Sequence, residues 1–414
     1  MHALAAATGW PVLTRRAGGP AGLSEEDGGG YPLWSLRVDP KPKLGFRASF
    51  QAPEAREALG RVMRTTGAEL VHFHHLAHLD LALPALARAA GAGVVWTLHD
   101  YHLLCVRGQL VNRELQRCPG PSAARCGDCV AEHLAAPTAL RRLAPLLSRL
   151  RPAQALGRRV LRLAGPGARG QSALEERFTA AKTALSAAHR VLAPSLDLAE
   201  RVRTLGWAEQ VLVQDLPLVA PLREQPAGEG PLRFLFVGSL IPTKGPDVLV
   251  EAFRGAVARL RRDGTPEDRL PTLTLWGPRP DFDGAPGYAD ALLAELSRVP
   301  GARYGGIFDD SQREAVYGSA DVLVLPSIWE ENSPLVVREA RAAGLRVVAS
   351  AVGGIAEIDP NARLTAPKDP KALEAALLSE NSLGRARRPT RGYSMEEHIS
   401  ALLAHYHAAL SARG

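Results

Sequence analysis

Cysteine and long apolar runs are both scarce in this chain of 414 residues. The four cysteines all fall between positions 105 and 129, which in a reducing compartment argues against a disulfide framework. No run of about 18 apolar residues occurs, and the first residues lack the charged-then-apolar order of a secretory signal. We therefore expect a cytoplasmic protein, either free or bound peripherally at the inner face of the plasma membrane.

Acidic residues are absent from the segment 138–169, which contains eight arginines and so accounts for the net charge of +7. Leucines recur between these arginines at helical spacing. This pattern predicts helices that lie on an anionic membrane surface. A solvated arginine face on ordinary packed helices is the alternative. Nucleic acid is not an expected partner, because the arginines lack interleaved aromatic residues.

Short β-branched segments alternate with helical stretches, which is typical of parallel sheets with helices on both faces. The predicted strands are 11–14, 70–74, 94–99 and 190–193 in the first half, and 232–237, 273–276, 322–325 and 347–350 in the second. We predict an α/β protein with two doubly wound, Rossmann-like domains. The N-terminal domain is assigned to 1–216, with an insertion at 101–185, and the C-terminal domain to 231–388. A linker at 217–230 joins them, and a final helix at 389–414 is expected to pack back on the N-terminal domain.

The start of the chain is unusual for such a fold. Residues 3–7 have the pattern of a helix end closed by Gly9, and a strand follows at once. The first strand of a doubly wound sheet is usually central, with a ligand loop at its carboxyl end. We therefore predict an N-terminal domain that lacks its first strand and leaves two strands unpaired, through a misassigned start or a truncated gene product.

The segment 232–245 has the order of strand, loop and helix start. Gly238 and Ser239 follow the predicted strand, and Lys244 precedes the helix. Open α/β folds bind ligands at the carboxyl ends of their strands, where a lysine ammonium group neutralises a diphosphate. Ordinary loop chemistry is the alternative for this lysine.

Two glutamates eight positions apart, Glu331 and Glu339, mark a second candidate site after the predicted strand 322–325. Ser333 is predicted as the N-cap and Pro334 as the first residue of a helix that carries Glu339. The free N–H groups of a helix start favour an anion. A nucleotide sugar suits this arrangement, with one carboxylate for sugar hydroxyls, one for ribose, and the backbone for phosphate. Solvated acids at a helix start are the alternative.

These segments resemble family 4 glycosyltransferases of the GT-B fold, in FVGSLIPTKG at 236–245, in LPSIWEENSPLVVREA at 325–340, and in Gly353, Gly354 and Glu357 after them. The spacing of two acids with seven residues between them selects Glu331 and not Glu330. The resemblance implies a retaining transfer, of hexosyltransferase type, from a nucleoside-diphosphate sugar in the cleft between two Rossmann-like domains, without an essential metal. It implies a glycan or lipid-linked acceptor, in cell-surface polysaccharide or glycolipid synthesis.

The resemblance also implies roles for individual residues. His99, Lys244 and Glu331 are the expected catalytic residues. The expected donor-binding residues are Gly238, Ser239, Lys244, Glu331, Asn332, Ser333, Pro334, Leu335 and Glu339. Family members often carry an arginine directly after the glycine at 238. Because Ser239 stands there, we expect Lys244 and the backbone amides of 332–335 to hold the diphosphate.

Histidines follow two predicted strands of the first half. The acceptor-side histidine of the family falls at His99, which is expected to bond the donor sugar or the departing phosphate. A structural role is the alternative for a histidine at a strand end. His75 and Asp100 are assigned to the acceptor side.

The four cysteines are separated by twelve, seven and two residues. The closest pair has the spacing of a tetrahedral zinc knuckle, which four thiolates would complete. We predict a structural zinc site formed by Cys105, Cys118, Cys126 and Cys129, with no role in catalysis because a four-thiolate site has no open position. Reduced, unlinked thiols are the alternative.

Two further interpretations of the whole chain stay open. One keeps the fold and makes the protein a nucleotide-sugar epimerase or a phosphorylase. The spacing of the two glutamates, followed by Gly353 and Gly354, favours a transferase. The other is a truncated, inactive protein that binds a nucleotide sugar, and the missing first strand supports it.

Overall fold

The computed structural model describes residues 2–17, 22–38, 46–112, 114–135, 168–218, 229–282, 284–385 and 392–413. Thirteen strands are described: β1 (Val12–Ala17), β2 (Gly22–Asp27), β3 (Pro32–Val38), β4 (Leu70–Phe73), β5 (Gly93–Thr97), β6 (Arg190–Ala193), β7 (Leu212–Val213), β8 (Arg233–Val237), β9 (Thr272–Trp276), β10 (Ala302–Gly306), β11 (Val322–Leu325), β12 (Arg346–Ser350) and β13 (Arg363–Thr365). The arginine-rich segment lies outside the described residues, apart from its last two positions, as does most of the linker.

Thirteen α-helices are described in the same residues: α1 (His2–Thr8), α2 (Pro53–Thr66), α3 (Leu83–Ala89), α4 (Ala123–Ala135), α5 (Ala168–Ala187), α6 (Leu196–Thr204), α7 (Pro246–Arg262), α8 (Tyr288–Leu296), α9 (Arg313–Gly318), α10 (Leu335–Ala342), α11 (Ile355–Ile358), α12 (Pro370–Ser382) and α13 (Met395–Ser411). None of them is both long and apolar enough to cross a membrane.

The second half of the chain forms a parallel sheet of six strands in the order β10-β9-β8-β11-β12-β13. All residues of β11 and β12 are buried, as expected for strands with helices on both faces. Side chains alternate between the faces: Phe234 and Phe236 pack into one core and Leu235 into the other. The strand order places β8 beside β11, so the loops after these two strands meet.

The described strands of the first half form two separate sheets. One is parallel, with the order β4-β5-β6-β7, and the other has the order β1-β3-β2 with β2 antiparallel to β3. In the described residues β1 and β4 are therefore edge strands. Sequence patterns predicted neither β2 nor β3. The exposed, acidic β2 carries no apolar alternation, because it is held by pairing with β3 and not by burial.

The C-terminal helix α13 packs against β4 and β5 of the N-terminal domain. Ser394 and Glu397 form a capping box at its start. Leu402, Tyr406 and Ala409 are buried in one cluster with Val95 of β5. The helix comes so close that a Cβ on Gly93 would lie 3.2 Å from the carbonyl oxygen of Ala409.

Candidate active site

Lys244 and Glu331 lie on the two loops that follow β8 and β11. The first loop ends in a 3-10 turn, Pro242–Lys244, and the second donates from the Ile328 backbone N–H to the carbonyl of Thr243 over 2.9 Å. Gly245 has a φ of +67°, and a Cβ there would lie 2.1 Å from the Pro326 carbonyl oxygen. Only glycine permits this approach, which brings the lysine to the glutamate.

One oxygen of Glu331 takes all the hydrogen bonds that its side chain makes with the described residues. Lys244 Nζ lies 2.8 Å and Trp329 Nε1 2.7 Å from Oε1, and the Ser327 hydroxyl donates to the same atom. The Lys244 ammonium also lies 4.7 Å from the centre of the Trp329 ring. Glu331 is 3% exposed. The second oxygen, Oε2, thus remains as an acceptor on an oriented carboxylate.

The neighbouring Glu330 points to the N-terminal domain. It accepts from Arg117 Nε over 2.9 Å and from the Gly353 backbone N–H over 2.9 Å, and Arg201 Nη2 lies 3.5 Å away. The two adjacent carboxylates therefore have different partners: Glu330 connects the two domains through Arg117, whereas Glu331 contacts Lys244.

Two glycines after β12 lie directly against this loop. Gly353 has a φ of +53°, and a Cβ on it would be 2.0 Å from the carbonyl oxygen of Glu331. A Cβ on Gly354 would lie 2.3 Å from the Asn332 carbonyl oxygen and 2.7 Å from Ser195 Cβ. Their lack of side chains lets three segments meet in one place.

The helix after Glu331 begins one residue later than the sequence predicts. Pro334, with φ −65° and ψ 116°, is the N-cap and Leu335 the first helical residue of α10. The prediction of Ser333 as the N-cap was wrong, because its hydroxyl accepts a hydrogen bond from Arg338 Nη2 instead of capping the helix. Pro334 keeps extended geometry and offers no side-chain cap. Leu335 is exposed on the first turn.

Glu339 lies on α10, one helical turn beyond Leu335. The Tyr317 hydroxyl donates to its Oε2, and Arg313 Nε lies 3.3 Å from its Oε1. Burial raises the pKa of Glu339, while Tyr317 and Arg313 act in the opposite direction. These partners orient the carboxylate, and the Glu339 side chain is 17% exposed.

Gly238 and Ser239 form the start of the loop after β8. The Gly238 N–H donates to the carbonyl of Trp276, and a Cβ on Gly277 would lie 2.1 Å from the Gly238 carbonyl oxygen. The loops after β8 and β9 are therefore packed backbone to backbone. Because residue 239 is a serine and not an arginine, it adds no positive charge to this loop.

His99 and Asp100 directly follow Leu98, beyond the end of β5. His74 Nδ1 lies 2.9 Å from His99 Nε2, and His75 Nε2 lies 2.8 Å from an oxygen of Asp100. Burial lowers the pKa of His99 to about 4, whereas the hydrogen bond with Asp100 raises the pKa of His75. His99 is thus a neutral imidazole near pH 7, and His75 protonates more readily than an isolated histidine.

Asn332 connects the two domains at this point. Its side-chain nitrogen donates to the His99 carbonyl over 2.8 Å, and its oxygen accepts from the Ser195 hydroxyl. Glu357 makes a second connection, because its carboxylate accepts from the backbone N–H groups of Leu196 and Asp197 at the start of α6. These bonds bring the loop of His99 to the loop of Glu331.

Sequence reasoning missed several residues of this region. Ser327 and Trp329 orient Glu331, while Arg117 and Ser195 bind the opposite domain through Glu330 and Asn332. The position of Ser327 just after a buried strand was a usable signal. Nothing in the sequence pairs Arg117 with a residue more than 200 positions away.

The four cysteines are all free thiols, two buried and two half-buried. Burial, together with the nearby Cys105, Cys126 and Cys118, raises the pKa of Cys129 to about 11. Among the described residues, no group of three or more histidine, cysteine or acidic side chains is arranged to hold a metal ion. A zinc ion would therefore have to reorient and deprotonate these thiols, and the zinc site stays a prediction.

We expect one zinc ion per chain, bound by the four thiolates, in protein purified without chelator. Elemental analysis measures it, together with thiol titration before and after denaturation. The double variant Cys126→Ser, Cys129→Ser is expected to lose the metal. Metal-free protein that takes up no added zinc would contradict the prediction.

Known proteins resemble this chain in both sequence and fold. Residues 231–379 match the family model described as glycosyl transferases group 1. The D-inositol 3-phosphate glycosyltransferase of Salinispora arenicola is 31% identical over 190 residues, which are 43% of this chain and 42% of that protein. The chain thus spans less than half the length of this relative.

Two solved structures share the fold over nearly the whole chain. Sucrose-phosphate synthase from Thermosynechococcus elongatus has a TM-score of 0.54 at 20% identity and covers 99% of this chain and 89% of its own. Anabaena HepE in complex with UDP has a TM-score of 0.54 at 14% identity, with coverages of 92% and 84%.

The two facing α/β halves, joined at the loops of His99 and Glu331, define this molecule as a protein of the GT-B fold. Its C-terminal half carries the sequence features of one group within that fold. Residues 231–379 carry the sequence of the glycosyl transferases group 1, which agrees with the resemblance to family 4 glycosyltransferases.

Proposed function

We propose that this protein is a retaining glycosyltransferase that moves a sugar from a nucleoside-diphosphate sugar to a glycan or lipid-linked acceptor. The observation that carries the proposal is the contact between Lys244 and Glu331 at the carboxyl ends of two adjacent parallel strands. In an open α/β sheet this edge is the place where ligands bind. The pair offers a cation for the diphosphate and an oriented acceptor for a sugar hydroxyl.

In the proposed reaction, Lys244 and the backbone amides that follow Glu331 stabilise the charge that develops on the leaving diphosphate. Glu331 Oε2 accepts a hydrogen bond from a hydroxyl of the donor sugar, and Glu339 accepts hydrogen bonds from the ribose hydroxyls. His99 bonds the sugar or the departing phosphate from the opposite domain. The acceptor hydroxyl attacks the anomeric carbon on the face from which the diphosphate leaves, so the configuration is retained. The leaving phosphate takes the proton of that hydroxyl. No metal takes part in this scheme.

The acceptor has two candidates. A glycan or lipid-linked acceptor would place the protein in cell-surface polysaccharide or glycolipid synthesis. The name of the Salinispora relative favours a smaller, phosphorylated polyol. Parallel assays with inositol phosphate, inositol and a lipid-linked sugar separate the two candidates, because only one class should accelerate release of nucleoside diphosphate.

A donor screen tests the proposed activity. Purified protein is incubated with UDP, GDP, ADP and TDP sugars, and both the thermal shift and the release of nucleoside diphosphate are measured. One nucleotide should raise the melting temperature and be released. Absence of both signals with all donors would favour the alternative of an inactive protein.

Replacing Glu339 by glutamine should weaken binding of that donor about tenfold, the loss expected for one hydrogen bond to a charged group. The neutral amide accepts ribose hydroxyls less strongly than the carboxylate. Isothermal calorimetry of donor binding measures the effect. The matched control is Glu251→Gln, an exposed acid of the same domain on α7. Equal affinity of Glu339→Gln and the unaltered protein would remove Glu339 from the donor site.

Attachment to a membrane through 138–169 belongs to the same proposal. We expect the protein to float with liposomes that contain anionic lipid and to stay behind with neutral ones, because arginines bind the negative surface. Flotation in low and high salt measures the dependence. Equal flotation with anionic and with neutral liposomes would refute the proposed attachment.

A further inference from the structure

A row of histidines starts on the neighbouring strands β4 and β5 and continues just beyond their carboxyl ends. His72 lies in β4 and Thr97 in β5, whereas His74 and His99 follow the ends of these strands. Val95 belongs to the same row of β5 and packs with Tyr406 of α13. The C-terminal helix therefore contacts the row at Val95 and His72.

Hydrogen bonds fix the first ring of this row at both nitrogens. The Tyr406 hydroxyl lies 2.7 Å from His72 Nδ1, and the Thr97 hydroxyl lies 2.8 Å from His72 Nε2. Burial raises the pKa of Tyr406, so its hydroxyl stays protonated. With both nitrogens engaged, the His72 ring can neither flip nor rotate without losing a bond.

The fixed ring is packed against the next one. The centres of the His72 and His74 rings are 4.0 Å apart, with 34° between their planes. His74 Nδ1 in turn lies 2.9 Å from His99 Nε2. A sequence of contacts thus connects His99 to α13.

All three rings are neutral near pH 7. Burial lowers the pKa of His72 to about 3 and that of His99 to about 4, and it lowers the pKa of His74 well below the ordinary value. A neutral imidazole has one donor and one acceptor nitrogen. His74 engages Nε2 of His99, so Nδ1 is the ring nitrogen of His99 that makes no hydrogen bond with the described residues.

We propose that Tyr406 is a positioning residue, which through His72 and His74 holds His99 so that its Nδ1 is directed to the donor sugar or to its diphosphate. The inference rests on the proposed function, since it assigns the ligand of His99 in that reaction. It gives the C-terminal helix a role in the chemistry of a domain to which it is not adjacent in sequence.

The first test observes the histidine rings without any ligand. Full-length protein labelled with ¹⁵N in histidine is compared with its Tyr406→Phe variant, which loses one hydroxyl and keeps the ring. We expect the ring nitrogens of His72 to move towards a mixture of the two tautomers, and the ring nitrogen signals of His99 to shift because its ring is held less firmly. Single substitutions, His72→Gln and His99→Gln, assign the signals. Unchanged His99 nitrogens in Tyr406→Phe would overturn the proposal.

The matched control is Tyr393→Phe. Tyr393 directly precedes the cap of the same helix, and its hydroxyl accepts from Gln214 over 3.0 Å, away from the histidine row. Loss of this hydroxyl should leave the His99 nitrogens unchanged. An equal shift in both variants would mean that the helix acts only through its general packing, which also contradicts the proposal.

The second test uses turnover of the donor selected in the screen. Tyr406→Phe should lower kcat about tenfold with little change in KM, because a bond made in the transition state is weakened. His74→Asn, which can place an amide near the position of Nδ1, should retain more activity than His74→Leu. Normal turnover of Tyr406→Phe, together with shifted ¹⁵N signals of the His99 ring, would also overturn the proposal.

The variant His99→Ala separates the role of His99 in the proposed function from the positioning of His99 by Tyr406. Normal turnover in His99→Ala would reject the role of His99 in the proposed function. The ring spectra would still decide whether Tyr406 sets the orientation of His99.

Discussion

Replacing Glu331 by glutamine is expected to lower turnover of the nucleoside-diphosphate sugar about 10²- to 10³-fold, the usual effect of losing one oriented electrostatic contact in an active site. Glutamine has nearly the same shape, and its oxygen can keep the bonds from Lys244, Ser327 and Trp329. The amide nitrogen then occupies the place of Oε2. A sugar hydroxyl that donated to Oε2 would meet another donor.

The measurement is the rate of nucleoside diphosphate release, with kcat and KM determined separately. Glu251→Gln again serves as the control, and thermal unfolding confirms that both variants fold. If Glu331→Gln keeps its kcat, Glu331 has no role in the transfer and the donor site must be sought elsewhere.

Gly353→Ala is expected to remove donor turnover and to lower the melting temperature. The new methyl group would be 2.0 Å from the carbonyl oxygen of Glu331, so the backbone that carries this glutamate must move. The left-handed φ of +53° adds about 1–2 kcal/mol of strain for any residue with a Cβ. The displacement, and not the strain, should account for the loss of turnover.

Gly384→Ala separates these two effects. Gly384 has a similar φ of +62°, but a Cβ there meets nothing within 4 Å. This variant should show the strain alone, as a lower melting temperature with normal turnover. If Gly353→Ala behaves in the same way, the loop of Glu331 tolerates displacement and its backbone position is not critical.

Four of the six strands of the second half, β8, β9, β11 and β12, were predicted with errors of at most one residue at their starts, whereas β10 and β13 were not predicted. The central strands β11 and β12 are buried on both faces, so they are continuous apolar segments that local patterns identify, whereas the edge strands β10 and β13 are partly exposed and lack this pattern. The three-stranded sheet was not predicted. Its strands β1 to β3 are held by pairing with one another, and in β2 this pairing leaves no apolar periodicity to detect.

The sequence by itself determined which loops carry the candidate site. Lys244 follows one strand and Glu331 follows another, and the carboxyl ends of parallel strands lie at the same edge of a sheet. The choice of Glu331 over Glu330 came from the resemblance to family 4 glycosyltransferases, whose motif places seven residues between the two acids. These inferences needed only local order, because strand direction and loop position are local properties.

Only the tertiary structure decided what each of these side chains contacts. Glu330 binds Arg117 of the other domain, Asn332 connects Ser195 to the His99 loop, and Tyr406 reaches His72 across more than 300 residues of chain. Such contacts depend on how two separately folded halves meet. The physical reason is that side-chain hydrogen bonds act over about 3 Å, and no local pattern encodes which distant segments come that close.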